Sequence, residues 1–182
     1  MGKTIVSEQL ATKIRAQHVD LAETVKRERL TNGYDRKRQT WIADTSRLAN
    51  RLQQKIKQEK TDVIIDGHYA SAVVPAAQVT RVFVLRRHPQ QLKKQMERRG
   101  FKGAKLWENL AAEVLDVCLY DAIMNVGIEK VCEIDATSKT VENTVNEILS
   151  ILDGKKMCAV GTVDWLGTLE KENILDQYLR HF

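Results

Sequence analysis

Three patches of this chain carry residue types suited to handling phosphate. Gly2, Lys3 and Thr4 lead straight into a segment with Val6, Leu10 and Ile14 at four-residue intervals. They match the last three positions of GxxxxGK followed by Ser or Thr. In that loop successive N–H groups and a helix N-terminus cradle phosphates, the Lys neutralises the β- and γ-phosphates, and the hydroxyl binds Mg²⁺. Such a tripeptide also arises by chance. The second patch is DVIIDGHYAS, residues 62–71. An apolar strand ending in an acid, here Asp66, is the usual place for the carboxylate of a Mg²⁺ shell. Alone, Asp66 would be a strand-end residue in a turn with Gly67, and His68 a satisfied polar side chain. The third is Arg86, after the next apolar run, with Arg98-Arg99-Gly100 further on. Phosphoryl transfer is catalysed by positioning and by neutralising charge on phosphoryl oxygens, so arginines on a closing element have a defined task. Isolated, they would be surface residues.

The elements that must hold these patches follow from periodicity. Leu48, Leu52 and Ile56 mark one amphipathic stripe; Leu92 and Met96 mark another. Leu106, Leu110 and Val114 form a third, and Val141, Val145 and Leu149 a fourth. Between them lie Val63-Ile64-Ile65, Val82 to Leu85, and Val131 to Ile134, short apolar runs that read as strands buried on both faces. Helix–strand alternation of this kind predicts an α/β, doubly wound fold with a parallel sheet covered by helices. Pro89 starts a helix over 89–99, and Gly100 and Gly103 bracket a basic break before a helix from about 105 to 125. That break is a natural hinge for a flap. After Asp153-Gly154 the character changes; 155–182 reads as a loop and a short helix, packed on the main domain to cover Trp165 and its leucines.

Length and composition suit one soluble domain: 182 residues, 43% apolar and 29% charged, net charge +5. Basic clusters stand at 26–29, 35–38, 85–88 and 97–105; they read as solvated helix faces or as surfaces that meet nucleotide or RNA phosphates. No run approaches the roughly 20 apolar residues of a membrane span and no cleavable leader is visible, so no membrane partner and a cytoplasmic location are expected. Cys118, Cys132 and Cys158, odd in number and widely spaced, read as free thiols, the first two as small buried hydrophobes.

The order of the pieces carries more than any one of them. GKT and a helix, then LTNGYD (30–35), VIIDGHY, VFVLRRHP, RRGFKGAKLWENLAAEVLDV and EIDATSKTVENTVNEIL resemble the adenylate kinase isoenzyme 6 family from residue 2 to about 153. These are archaeal and eukaryotic P-loop adenylate kinases and ATPases associated with small-ribosomal-subunit maturation. The tail's Val163-Asp164-Trp165-Leu166 is similar to the C-terminal segment of archaeal members. The resemblance implies a three-layer nucleoside-monophosphate-kinase-like fold over 1–153, with a monophosphate segment at about 20–43, a lid at about 98–108, and a C-terminal extension at 154–182. It implies ATP and Mg²⁺ as cofactors and AMP as phosphoryl acceptor. Lys3, Asp66, His68 and Arg99 would be catalytic, and Gly2, Lys3, Thr4, Arg99 and Lys139 would bind ATP. Gly33, Tyr34, Asp35 and Arg86 would face AMP, and Thr4 and Asp66 the metal. The implied partners are a small-subunit ribosomal protein or pre-ribosome, with possible rRNA contact.

Two departures stand out. The strand and the residues that precede GKT in the family are missing, and Ile5 replaces a second Thr. The lost strand would be the centre of the sheet, and its absence would leave two neighbours with unpaired backbone groups, each costing about 1–3 kcal/mol. A missing start is therefore expected, by truncation or a misplaced initiation codon. Three readings follow: a Mg²⁺-dependent kinase or ATPase, a catalytically impaired assembly chaperone, and a different P-loop small-molecule kinase. GYD and DxH argue against the last.

Overall fold

The computed structural model describes residues 2–36 and 40–180. Of the basic cluster at 35–38, Lys37 and Arg38 lie outside the described residues, as does Met1. The chain alternates as expected. Helix α1 (Lys3–Ile14) leads to strand β1 (Gln17–Asp20), helix α2 (Leu21–Arg27), strands β2 (Thr31–Asp35) and β3 (Thr40–Ala43), and helix α3 (Thr45–Gln58). Strand β4 (Val63–Asp66), helix α4 (Ala70–Val73), strand β5 (Val82–Arg86) and helix α5 (Pro89–Arg98) follow. Helices α6 (Gly103–Val114) and α7 (Val117–Val126), strand β6 (Val131–Asp135) and helix α8 (Val141–Leu152) come next, then α9 (Trp165–Lys171) and α10 (Leu175–Leu179). Side-chain caps fix several starts. Asp20, Asp44 and Thr140 accept from the N–H groups of Glu23, Arg47 and Asn143, satisfying donors that a helix leaves open.

Strands β1 and β4 pair in parallel, Gln17 with Val63 through Asp20 with Asp66. Strands β5 and β6 do the same, Val82 with Val131 through Arg86 with Asp135. β2 and β3 form a separate antiparallel hairpin. The two parallel pairs are not bonded to each other. Between β4 and β5 runs a slot of about 470 Å³, lined by both strands and by Val6, Leu10 and Ile14 of α1. This is where the absent central strand was expected. One core cluster joins Val6 and Leu10 to Leu85, Cys132, Ile134, Val145 and Ile148. A second gathers Val19, Leu21, Val25, Leu48 and Leu52 on the β1–β4 side. A third joins the flap helices to the tail through Leu92, Met96, Leu110, Leu169 and Tyr178.

Four expectations need correction. Val63, Ile64 and Ile65 are half-buried rather than covered on both faces, because the slot opens beside them. The expected helix over 105–125 is two, broken at Asp116, whose φ of 56° is left-handed. The tail holds two short helices, not one. Cys132 and Cys158 are joined in a disulfide, since β6 brings residue 132 beside the returning tail; only Cys118 is a free thiol among the described residues. The same return lets Glu133 donate its N–H to the Ala159 carbonyl at 2.8 Å.

Candidate phosphoryl-transfer site

Helix α1 starts on Gly2, whose φ of 83° suits a residue without a side chain. No side chain caps this start and no acid stands in its first turn, so the open amides and the helix dipole favour an anion there. Lys3 lies at that end, with its Nζ 3.9 Å from Asp66 Oδ1. Asp66 closes β4 with its side chain only 4% exposed, against 30% for Lys3. Among the described residues Lys3 is the one cation paired with this buried carboxylate, and a further positive charge would relieve it.

His68, two residues on, lines a cavity of about 130 Å³ with Lys3 and Arg99. His68 is exposed on the wall of that cavity. Desolvation, and then repulsion from Lys3, push its pKa down to about 4, with Asp66 acting the other way. At neutral pH it is an uncharged imidazole. Arg99 is the C-cap of α5, and Gly100 and Gly103 follow at φ of 82° and 56°, backbone that glycine adopts without strain. The expected flap therefore has its arginine on the cavity wall and its permissive joints next to it.

The profile of the AAA domain family matches residues 1–116. A protein of Methanocaldococcus jannaschii named "Putative adenylate kinase" is 35% identical to this chain over 165 residues, which is 91% of this chain and 87% of that protein. Proteins of the same name from Pyrococcus furiosus and Methanosarcina acetivorans are 34% and 32% identical, over 172 and 181 residues. These alignments cover 94% and 92% of this chain, and 89% and 94% of the relatives. The chain belongs to this P-loop family.

Lys3, His68 and Arg99 line one cavity as expected of a shared site, but Arg86 stands elsewhere. Arg86, expected to face AMP phosphate, is 2% exposed, and its guanidinium is held among three carboxylates. Its Nε donates to Glu113 Oε1 and its Nη2 to the Glu113 carbonyl, both at 2.9 Å. It also pairs with Asp116 and Glu133. Burial alone would lower its pKa, but the Glu113 and Asp116 carboxylates outweigh that and hold it above the ordinary value. The tail completes the cluster. Trp165 Nε1–H donates to Glu113 at 2.9 Å, and the Thr162 and Val163 N–H groups donate to Glu133 at 2.7 and 3.3 Å. Arg86 is a buried core residue with four of its five N–H donors committed to protein acceptors.

Other assigned residues lie apart from the cavity. Gly33, Tyr34 and Asp35 stand on β2 of the hairpin, where Tyr34 packs edge-on against Trp41 with ring centroids 5.1 Å apart. Lys139 pairs with Glu147 at 2.6 Å at the start of α8. Gln95, Asn109 and Glu113 line the cavity and were not singled out in the sequence, and Cys118, expected only as a small buried thiol, joins them. Only their positions on the flap helices could have signalled them. Burial, then Glu113, raises the Cys118 pKa and keeps it a thiol. Among the described residues no three His, Cys, Asp or Glu side chains group as a metal site. Thr4 and Asp66 offer hard oxygen donors, which fits Mg²⁺ that arrives with nucleotide and keeps phosphate and water ligands.

Proposed function

We propose that this chain catalyses Mg²⁺-dependent transfer of the γ-phosphoryl group of ATP to AMP, giving two ADP, or to water. The observation that carries the reading is the convergence of Lys3, His68 and Arg99 on one cavity, with Asp66 beside Lys3. An acceptor oxygen attacks the γ-phosphorus, the bond to the β–γ bridging oxygen breaks, and its electron pair leaves with ADP. Lys3, the α1 amides and Arg99 neutralise charge on the phosphoryl oxygens, the large term in such reactions. Neutral His68 orients the attacking AMP phosphate oxygen or water. Thr4 and Asp66 would hold Mg²⁺, which supplies charge neutralisation between the β- and γ-phosphates. Bending at Gly100 and Gly103 would carry Arg99 to and from the nucleotide. Gly33, Tyr34 and Asp35 would meet AMP, and Lys139 the adenine of ATP.

The GYD, DxH and RG motifs support the finer placement with adenylate kinase isoenzyme 6, a cytoplasmic role in small-subunit maturation, and a ribosomal protein or pre-ribosome as partner. The basic clusters at 26–29 and 97–105 favour a second reading, a catalytically impaired assembly chaperone. A coupled assay of ADP formation from ATP and AMP, and of phosphate release from ATP alone, separates the two. Mg²⁺-dependent turnover in either format is expected. Its absence, together with no rise in melting temperature on titrating ATP and Mg²⁺, would sink the enzyme reading.

A further inference from the structure

We propose that the Cys132–Cys158 disulfide sets the nucleotide affinity of the phosphoryl-transfer cavity, acting through the tail on Glu113 as a positioning residue. For the identity of the ligand, this rests on the reading of the cavity as a phosphoryl-transfer site. The bond joins two unlike positions. Cys132 is fully buried on β6, in the core shared with α1 and α8, whereas Cys158 is half-buried between exposed Met157 and Ala159. A dithiol reductant therefore reaches the Cys158 Sγ first. Its thiolate bonds to that sulfur, the bond to Cys132 breaks, and Cys132 leaves as a thiolate that takes up a proton. The reductant's second thiolate then displaces Cys158, which is protonated in turn, and the reductant departs as a cyclic disulfide. A disulfide oxidant reverses the exchange.

Residues 153–164 belong to no helix or strand, so this stretch is held by the disulfide and a few hydrogen bonds. Beyond Cys158 it runs along β6, where Glu133 N–H meets the Ala159 carbonyl and the Glu133 carboxylate accepts from Thr162 and Val163. Trp165 follows at the start of α9. Its ring stands edge-on to His88, with centroids 5.2 Å apart, and its Nε1–H reaches Glu113 Oε1. The same oxygen accepts from Arg87 N–H at 3.1 Å and from Arg86 Nε. Glu113 thus lines the cavity that Lys3 also lines, held by three donors of which one comes from the tail. With the bond closed, Glu113 stays with these donors and Lys3 is available to phosphate. With the bond open, water can replace the hydrogen bonds of 159–163, and the Trp165 donor is no longer fixed. A Glu113 carboxylate that turns to Lys3 then competes with phosphate for the same cation.

The test compares the whole chain oxidised and reduced with dithiothreitol, at a temperature where circular dichroism shows both forms folded. Without nucleotide, hydrogen exchange at the Arg87, Thr162 and Val163 amides reads the link from tail to Glu113. With nucleotide, KM for ATP and kcat read the site. Reduction is expected to speed exchange at all three amides and raise KM about fivefold or more, with kcat changed by less than about twofold. Oxidised glutathione should restore both. The double variant Cys132→Ala, Cys158→Ser should show the reduced behaviour and ignore the reductant; a response that persists in it belongs to Cys118 and overturns the proposal. Trp165→Phe keeps the bond and a ring beside His88 but removes the donor, so KM should rise by a similar factor while oxidised. That variant decides the matter if the reduced chain unfolds. An unchanged KM in Trp165→Phe, or amides indifferent to reduction, would overturn the proposal. Faster exchange at the three amides, with no turnover and no ATP-dependent rise in melting temperature in either form, would instead overturn the kinase reading and leave the control of Glu113 standing.

Discussion

β4 and β5 both end in a buried charge, and the two ends are built for opposite purposes. Asp66 has one cation at 3.9 Å and stands next to an uncapped helix start and an open cavity. Arg86 has Glu113, Asp116 and Glu133 around it, and the tail's N–H groups donate to the two glutamates as well. In sequence the two look alike, an apolar run closed by a charged residue. What separates a site from a strut is the number of partners the fold supplies, for a buried charge left short of partners is receptive to a ligand and a well-partnered one is not.

The sharpest way to break this contrast is Arg86→Ala. It leaves buried carboxylates without a counter-charge and is expected to cost about 3–5 kcal/mol in urea unfolding; a loss near zero would make Arg86 an available ligand. Lys3→Ala should cut phosphoryl transfer by about 10²–10³-fold, roughly 2.7–4 kcal/mol of transition-state stabilisation, in steady-state kinetics. Its stability loss should fall well short of that of Arg86→Ala. Cys158→Ser frees the tail that feeds the Arg86 cluster and should lower stability by about 2–4 kcal/mol, an effect that chemical reduction of the parent chain reproduces. Asp66→Asn, by contrast, should leave the unfolding midpoint unchanged or raise stability by about 1 kcal/mol while abolishing Mg²⁺-dependent turnover. The smallest effect concerns pH. His68 has a folded pKa of about 4, below its unfolded value, so the unfolded chain binds the extra proton between the two. Stability should decline as pH falls from about 6.5 toward 4, and His68→Asn should flatten that part of the profile.

Much of this was legible from local pattern. The stripes through Leu10, Leu52, Met96, Leu110 and Val145 lie on helices, and Val131 to Ile134 form a buried strand. GKT before a helix and Asp66 at a strand end placed the cation and acid that the structure brings within 3.9 Å. Long-range pairing was not legible. The residues around Arg86 come from α6, the α6–α7 joint, β6 and the tail, and no spacing relates them. Cys132 and Cys158 stand 26 residues apart in no recognisable framework, and meet only because the tail returns along β6. The break at Asp116 was hidden by an apolar period that continues through it, whereas a left-handed φ at an aspartate leaves little trace in composition.

The Arg86 cluster also bears on how the chain is made. Arg86, Glu113 and Glu133 leave the ribosome in that order, and Thr162, Val163 and Trp165, which donate to the two glutamates, follow later still. Until then a growing chain carries an acidic pair at its centre with incomplete hydrogen bonding, so tight packing of the β5–β6 half has to wait for residues 162–165 to emerge. Synthesis of residues 162–165 thus acts as the closing step of folding for a core whose strands were finished well before.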